Sequence, residues 1–195
     1  VDGTAQYGID VQVPGMLYAA IHMSPVFGGT VASVDASKAE SMPGVKKVVD
    51  LGNAVAVIAD KYWRARTALE AVEVSFDNKG NDRLSSALIF EQFEAAVTSG
   101  ESDSDETRGD VASALANGAT RIDAAYRVPF LAHAPMEPMN CTAWVRDGQC
   151  DVWTGTQNPL GARAVAANVA GLDGDNVTVH NVMLGGGFGR RSHVN

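Results

Sequence analysis

The sequence predicts an α/β (α+β) fold, and three observations carry that reading. Apolar runs of strand length alternate with capped amphipathic segments through the first half. A polar stretch, 99–110, then interrupts the chain without a single large apolar side chain. Beyond it, a hairpin pattern, a capped helix and a strand lead into a glycine-rich loop close to the last residue. A hydrophobic share of 46% and a charged share of 19% are ordinary for a globular chain of 195 residues.

The elements follow in order. Residues 16–22, after Pro14-Gly15, read as a buried strand, and 31–34 as a second. A short helix over 35–42 ends at Pro43-Gly44. Apolar strands are expected at 45–51 and 54–59, with Asp60 as cap of a helix over 62–72. A strand over 73–77 completes this first unit, for which a mixed sheet is expected. Residues 85–93 start another helix, with Ser85 or Ser86 as cap. The acidic stretch 99–110 reads as a solvated linker. A helix over 110–117 is capped by Asp110, and the alternation of 122–128 reads as a strand. A proline-punctuated loop follows at 129–140. Residues 141–145 and 149–153 flank Arg146-Asp147-Gly148, a hairpin signal. Asn158 caps a helix that has Pro159 at its first position and Gly171 past its end. A strand over 177–184 then enters the loop.

That loop, Gly185-Gly186-Gly187-Phe188-Gly189-Arg190-Arg191, concentrates the chemistry. Glycines let backbone N–H groups approach a ligand, and successive N–H groups make a concavity for anions. Arginine adds a planar, permanently charged fork. A glycine cluster after a strand is also a common turn, and both readings stay open on these residues alone. No Lys-Ser/Thr pair follows, so it is not a P-loop, and no βαβ unit follows as a dinucleotide fingerprint requires. The loop 154–158 lies at a second strand end, where Gln157 either caps the neighbouring helix or reaches a ligand.

The net charge of −8 argues against non-specific nucleic-acid binding. No apolar run approaches the roughly 20 residues of a membrane span. The start at Val1 carries no Met, basic segment or apolar segment, so no signal peptide is expected. Cys141 and Cys150 fit no zinc or iron–sulfur spacing and read as buried free thiols. The four histidines are scattered, so no protein-ligated metal is expected.

Six segments together resemble one family, the molybdenum-binding large (beta) subunit of the xanthine oxidase family. Within it they are most similar to isoquinoline 1-oxidoreductase and aldehyde-oxidising molybdenum hydroxylases. They are Asp2-Gly3-Thr4-Ala5-Gln6-Tyr7-Gly8-Ile9-Asp10, Pro14-Gly15-Met16-Leu17-Tyr18-Ala19, Ser24-Pro25-Val26-Phe27-Gly28-Gly29, the run from Ala132-His133-Ala134-Pro135-Met136-Glu137 through Ala143, Thr156-Gln157-Asn158-Pro159, and the glycine loop. The resemblance implies a mixed-sheet hammerhead domain over 1–80, a helix and acidic linker over 81–110, and the start of a molybdopterin-binding α+β domain over 111–195. It implies that Gln157 reaches an oxo ligand of molybdenum. Gly186, Gly187, Phe188 and Gly189 would pack on the cofactor, with Arg190 beside them. Arg190 and Arg191 would meet either cofactor phosphates or an acidic neighbour. Glu137 would be structural or line a channel.

The implied cofactor is a molybdenum–pterin, in its cytosine dinucleotide form, held through the pterin rather than by side chains. The implied reaction hydroxylates N-heterocycles or aldehydes with oxygen from water, a glutamate acting as general base. That glutamate belongs to a later motif of the family, so no catalytic residue is expected in this chain. The implied partners are the remainder of the large subunit, a separate small [2Fe–2S] subunit and a cytochrome acceptor, with a small aromatic or aldehyde substrate. The resemblance leaves the compartment open between the bacterial cytoplasm and the periplasmic face of the inner membrane. Full subunits of the family are several times longer, so the expectation is a fragment inactive alone. The alternative is a non-catalytic scaffold or interaction domain of the same descent.

Overall fold

The computed structural model describes residues 2–100, 103 and 106–193. It is a mixed α/β structure of several sheets, as the sequence predicts, and falls into two compact units. One comprises Leu17–Phe130; the other comprises Val1–Met16 with Leu131–Asn195.

The Leu17–Phe130 unit is built around one strand. β1 (Tyr18–Met23), β3 (Val45–Asp50) and β4 (Ala54–Ala59) form a sheet in the order β1-β4-β3. β4 reads Ala-Val-Ala-Val-Ile-Ala and is buried at every position but Ile58, because it is central and covered on both faces. Its small residues let α2 (Tyr62–Leu69) approach, so that Ala65, Ala68 and Leu69 close a core with Ala20, Val57 and Ala59. The short α1 (Ser37–Glu40) contributes Ala39 to the same core. β2 (Thr30–Asp35) pairs with β5 (Glu73–Asp77) in a second, two-stranded sheet. α3 (Ser86–Ser99) follows, capped by Ser85, whose Oγ accepts from Leu88 N at 3.2 Å. α4 (Val111–Asn117) is capped by Asp110 through Ser113 N at 2.9 Å.

Three expectations need correcting. Every strand pair in this unit is antiparallel, so the mixed sheet lies in the other unit. Asp60 does not cap α2: Lys61 occupies the cap position, and Asp60 Oδ2 instead accepts from Arg64 at 2.7 Å, one helical turn on. α3 starts where expected and runs on to Ser99, where Gly100 in the left-handed region supplies the stop. No strand forms at 122–128, where the residues are exposed and no partner strand supplies a ladder. Residues 101, 102, 104 and 105 of the expected acidic linker lie outside the described residues.

The other unit carries a mixed sheet. β6 (Thr142–Arg146) and β7 (Gln149–Thr154) form the expected hairpin, closed by Asp147 and Gly148, both at positive φ as a two-residue turn of this kind requires. β8 (Val177–Asn181) pairs parallel to β7, with α5 (Pro159–Ala170) as the crossover. Asn158 Oδ1 caps α5 through Gly161 N at 2.9 Å, and Gly171 ends it at φ +65°. Cys150, Val152, Ala167 and Val177 are its buried core. Both thiols are free; Cys150 is buried but Cys141 is exposed, against expectation. β8 stops at Asn181 rather than 184, and Met183 makes an isolated parallel bridge with Tyr7. Among the described residues no helix is long and apolar enough to cross a membrane.

Truncating the central strand should register strongly. Val57→Ala, at a fully buried site, is expected to cost about 2–3 kcal/mol. Val97→Ala, at a site 84% exposed on α3, should fall within about 0.5 kcal/mol of wild type. Urea unfolding curves of the two variants test this.

Candidate functional site

β7 and β8 run parallel, so the loops after them, 155–158 and 182–192, leave the same edge of the sheet. This is where ligands bind in sheets of this kind. The two loops are tied together. Asn181 Oδ1 accepts from Thr156 N at 3.1 Å, and Val182 N donates to Thr154 O at 3.2 Å. A third loop, around Pro135–Asn140, joins them through Glu137.

The centre of the assembly is Arg191, 1% exposed. Its Nη2 donates to Glu137 Oε2 at 2.9 Å and to the Glu137 carbonyl at 3.0 Å. Its Nη1 donates to Gly155 O at 3.1 Å and its Nε to Gly186 O at 2.9 Å. Glu137 in turn accepts from Gly185 N at 3.0 Å and from Asn140 Nδ2 at 2.9 Å. Burial pushes the Glu137 carboxyl up, but the hydrogen bonds from Asn140 and Gly185 and the Arg191 charge outweigh it and hold the group below its usual range. Of the two partners the sequence offered Arg191, the acidic neighbour is therefore the one it meets. Glu137 is structural, as one of its two expected readings had it.

Gln157 sits at the rim. Its N donates to Arg191 O at 3.0 Å, and its Oε1 accepts from Gly189 N at 3.0 Å. It does not cap α5; Asn158 does. Its Nε2 has no hydrogen bond among the described residues, and the side chain is exposed. The packing explains two of the glycines. A Cβ at Gly187 would lie 2.7 Å from Gln157 Oε1, and one at Gly185 would lie 2.3 Å from Glu137 Cβ. Phe188 takes φ +53°, costly for a bulky side chain, and is 71% exposed. Arg190 is exposed and has no ion pair among the described residues.

The rim is rich in free donors: the N–H groups of Gly186, Gly187 and Phe188, the Gln157 amide and the Arg190 guanidinium. This donor set fits an anionic, oxygen- or sulfur-rich group such as a pterin-held metal centre. Among the described residues no cluster of three or more His, Cys, Asp or Glu is placed to hold a metal ion directly. The sequence brought out Gln157 and the loop. It missed the ties through Thr156, whose Oγ1 donates to Arg191 O at 3.1 Å, and through Asn140. The Thr156 tie spans 35 residues, so no local spacing signals it.

Comparison with known proteins agrees with this geometry. Residues 92–195 match the family model of the molybdopterin cofactor-binding domain. The chain is 34% identical to the isoquinoline 1-oxidoreductase subunit beta of Brevundimonas diminuta, over 98% of this chain and 26% of that protein. It is 26% identical to the aldehyde oxidoreductase molybdenum-binding subunit PaoC of Escherichia coli K12, over 96% of this chain and 29% of that protein. The crystal structure of quinoline 2-oxidoreductase from Pseudomonas putida 86 superposes with a TM-score of 0.69 at 20% identity, over 99% of this chain and 30% of that one. This chain belongs to the molybdopterin cofactor-binding domain family. It spans between a quarter and a third of the length of these relatives.

The Glu137 carboxylate sets an acid limit. Its folded-state pKa lies below its unfolded value, so its contribution is complete above the ordinary glutamate range, about 4.3, and is lost as pH falls through the lower folded value. Between about pH 5 and pH 3 wild type should lose stability more steeply than Glu137→Gln, whose neutral amide has no proton to gain. Urea midpoints measured across that range check the sign.

Proposed function

We propose that this chain is part of the large subunit of a molybdenum hydroxylase that oxidises N-heterocycles or aldehydes, and that it holds one side of the pterin cofactor. The single observation that carries the reading is the donor-rich rim where Gln157 and the glycine loop meet, Gly189 N on Gln157 Oε1 at 3.0 Å. Gly186, Gly187, Phe188 and Gly189 form the backbone cradle, Gln157 supplies a side-chain donor, and Arg190 supplies a free positive charge for the phosphates. When bound, the cofactor supplies the redox centre that takes electrons from a substrate C–H bond. Gln157 orients it, since its Oε1 is already committed to Gly189 and only the NH₂ end is free to donate.

The finer terms of the proposal are the cytosine dinucleotide form of the cofactor, a [2Fe–2S] cluster on a separate small subunit, and passage of electrons to a cytochrome. The general base is a glutamate from a further part of the large subunit. The proposed division is 1–80 for the hammerhead domain, 81–110 for a helix and linker, and 111–195 for the start of the molybdopterin-binding domain; the compact units divide the chain differently, with Val1–Met16 joined to Leu131–Asn195. Exposed apolar residues in the Leu17–Phe130 unit, Ile122 at 87%, Tyr126 at 91% and Val128 at 76%, support a covering polypeptide such as the remainder of the subunit.

The test uses the longest polypeptide that the gene encodes, produced with molybdate supplied. Molybdenum by elemental mass spectrometry and pterin by fluorescence should both approach one per chain. Gln157→Ala should keep the molybdenum and lower kcat on an N-heterocycle or aldehyde roughly tenfold or more. Protein that folds yet carries neither molybdenum nor pterin would sink the proposal in favour of a non-catalytic domain.

A further inference from the structure

We infer that Arg191 and Glu137 are the positioning residues that aim the cofactor-facing N–H groups, a role that rests on the cofactor reading above. The argument comes from the planarity of the peptide bond. In a trans peptide the C=O of one residue and the N–H of the next point in opposite directions. Fixing the carbonyl therefore fixes the direction of the following N–H.

Three successive carbonyls of the loop are pinned. Gly185 O accepts from Glu137 N at 3.0 Å, which turns the Gly186 N–H away from Glu137. Gly186 O accepts from Arg191 Nε at 2.9 Å, which turns the Gly187 N–H away from the guanidinium. Gly187 O accepts from Arg190 N at 2.8 Å, which directs the Phe188 N–H the other way. None of these three N–H groups has a partner within the described chain. Arg191 and Glu137 thus hold two of the three peptides, and the third closes as a turn on the residue next to Arg191.

The same pair also sets the side-chain donor. The Arg191 carbonyl accepts from Gln157 N at 3.0 Å, and Arg191 Nη1 holds the Gly155 carbonyl at 3.1 Å two residues earlier. Glu137 returns the favour on the glycine loop by accepting from Gly185 N at 3.0 Å. One buried guanidinium consequently orders the 155–158 loop and the 185–187 loop relative to each other. Lysine cannot do this, since a single ammonium has no planar fork to serve three loops at fixed angles. Neither residue needs to touch the cofactor, because both act through the backbone they hold.

The test compares Arg191→Lys with Val152→Ala, a variant of the buried sheet core that lacks contact with the clasp. Both are made in the longest polypeptide the gene encodes. Glu137→Gln, nearly isosteric, replaces Arg191→Lys if the latter does not fold. Hydrogen–deuterium exchange by mass spectrometry is read over the 183–190 peptide, with molybdenum and pterin content on the same samples. The clasp variant should speed exchange of that peptide roughly tenfold or more relative to the β7 and β8 peptides, and it should retain several-fold less cofactor. The core variant should leave that ratio and the cofactor content near wild type. Equal exchange of the 183–190 peptide in wild type and clasp variant would overturn the positioning role, as would equal cofactor loss from clasp and core variants. A wild type without molybdenum would instead count against the cofactor reading, while the exchange ratio would still decide the clasp.

Discussion

The Arg191–Glu137 ion pair is the constraint on which the candidate site depends. Both side chains are buried, Arg191 almost wholly so. A charge taken out of water costs several kcal/mol unless its partner and its remaining hydrogen bonds are supplied in good geometry. Here they are supplied almost entirely by backbone carbonyls and one carboxylate, drawn from loops that are up to 54 residues apart in sequence. Loops would ordinarily be the least ordered parts of such a fold. A guanidinium that must satisfy its N–H groups cannot tolerate that disorder, so the cost of burying it becomes the force that orders three loops at once. Removing one partner would leave the other charged and unpaired, at a cost of about 3–5 kcal/mol.

Around this centre the packing is arranged to keep polar groups paired on the inside and donors free at the rim. Thr156 is buried, and its hydroxyl both donates to the Arg191 carbonyl and accepts from Asn158 N. Asn158 continues the chain of bonds into the N-terminus of α5. The helix, the β7 end and the glycine loop are therefore one hydrogen-bonded body, and Gln157 lies between its fixed points. The strain at Phe188 belongs to the same economy: the loop turns at a residue that pays for a left-handed backbone, and the turn brings Gly189 N onto Gln157 Oε1.

The Leu17–Phe130 unit shows a different solution to burial. Its core is alanine and valine, with Leu69 the largest side chain in it. A sheet lined with alanine brings α2 close and needs few large residues. What the unit lacks in side-chain volume it gains in backbone proximity, and the same small residues leave its bulkier apolar side chains, such as Trp63 at 73% exposure, on the surface.

The local readings that succeeded were those with a short-range physical cause. β4 and β5 occur at the expected residues, and α5 runs from Pro159 to Ala170 between its predicted caps, because caps, turns and periodicity act within a few residues. The glycine loop and Gln157 stood out for the same reason. The strand expected at 122–128 failed because alternation needs a partner strand, and none is there. By itself, then, the sequence determined the class of fold, most of its elements and the residue types at the rim. Only the tertiary structure decided that Arg191 turns inward to Glu137 while Arg190 stays outside. Adjacent arginines are equivalent to any local rule, and what separates them is a carboxylate 54 residues away that folding alone brings within 2.9 Å.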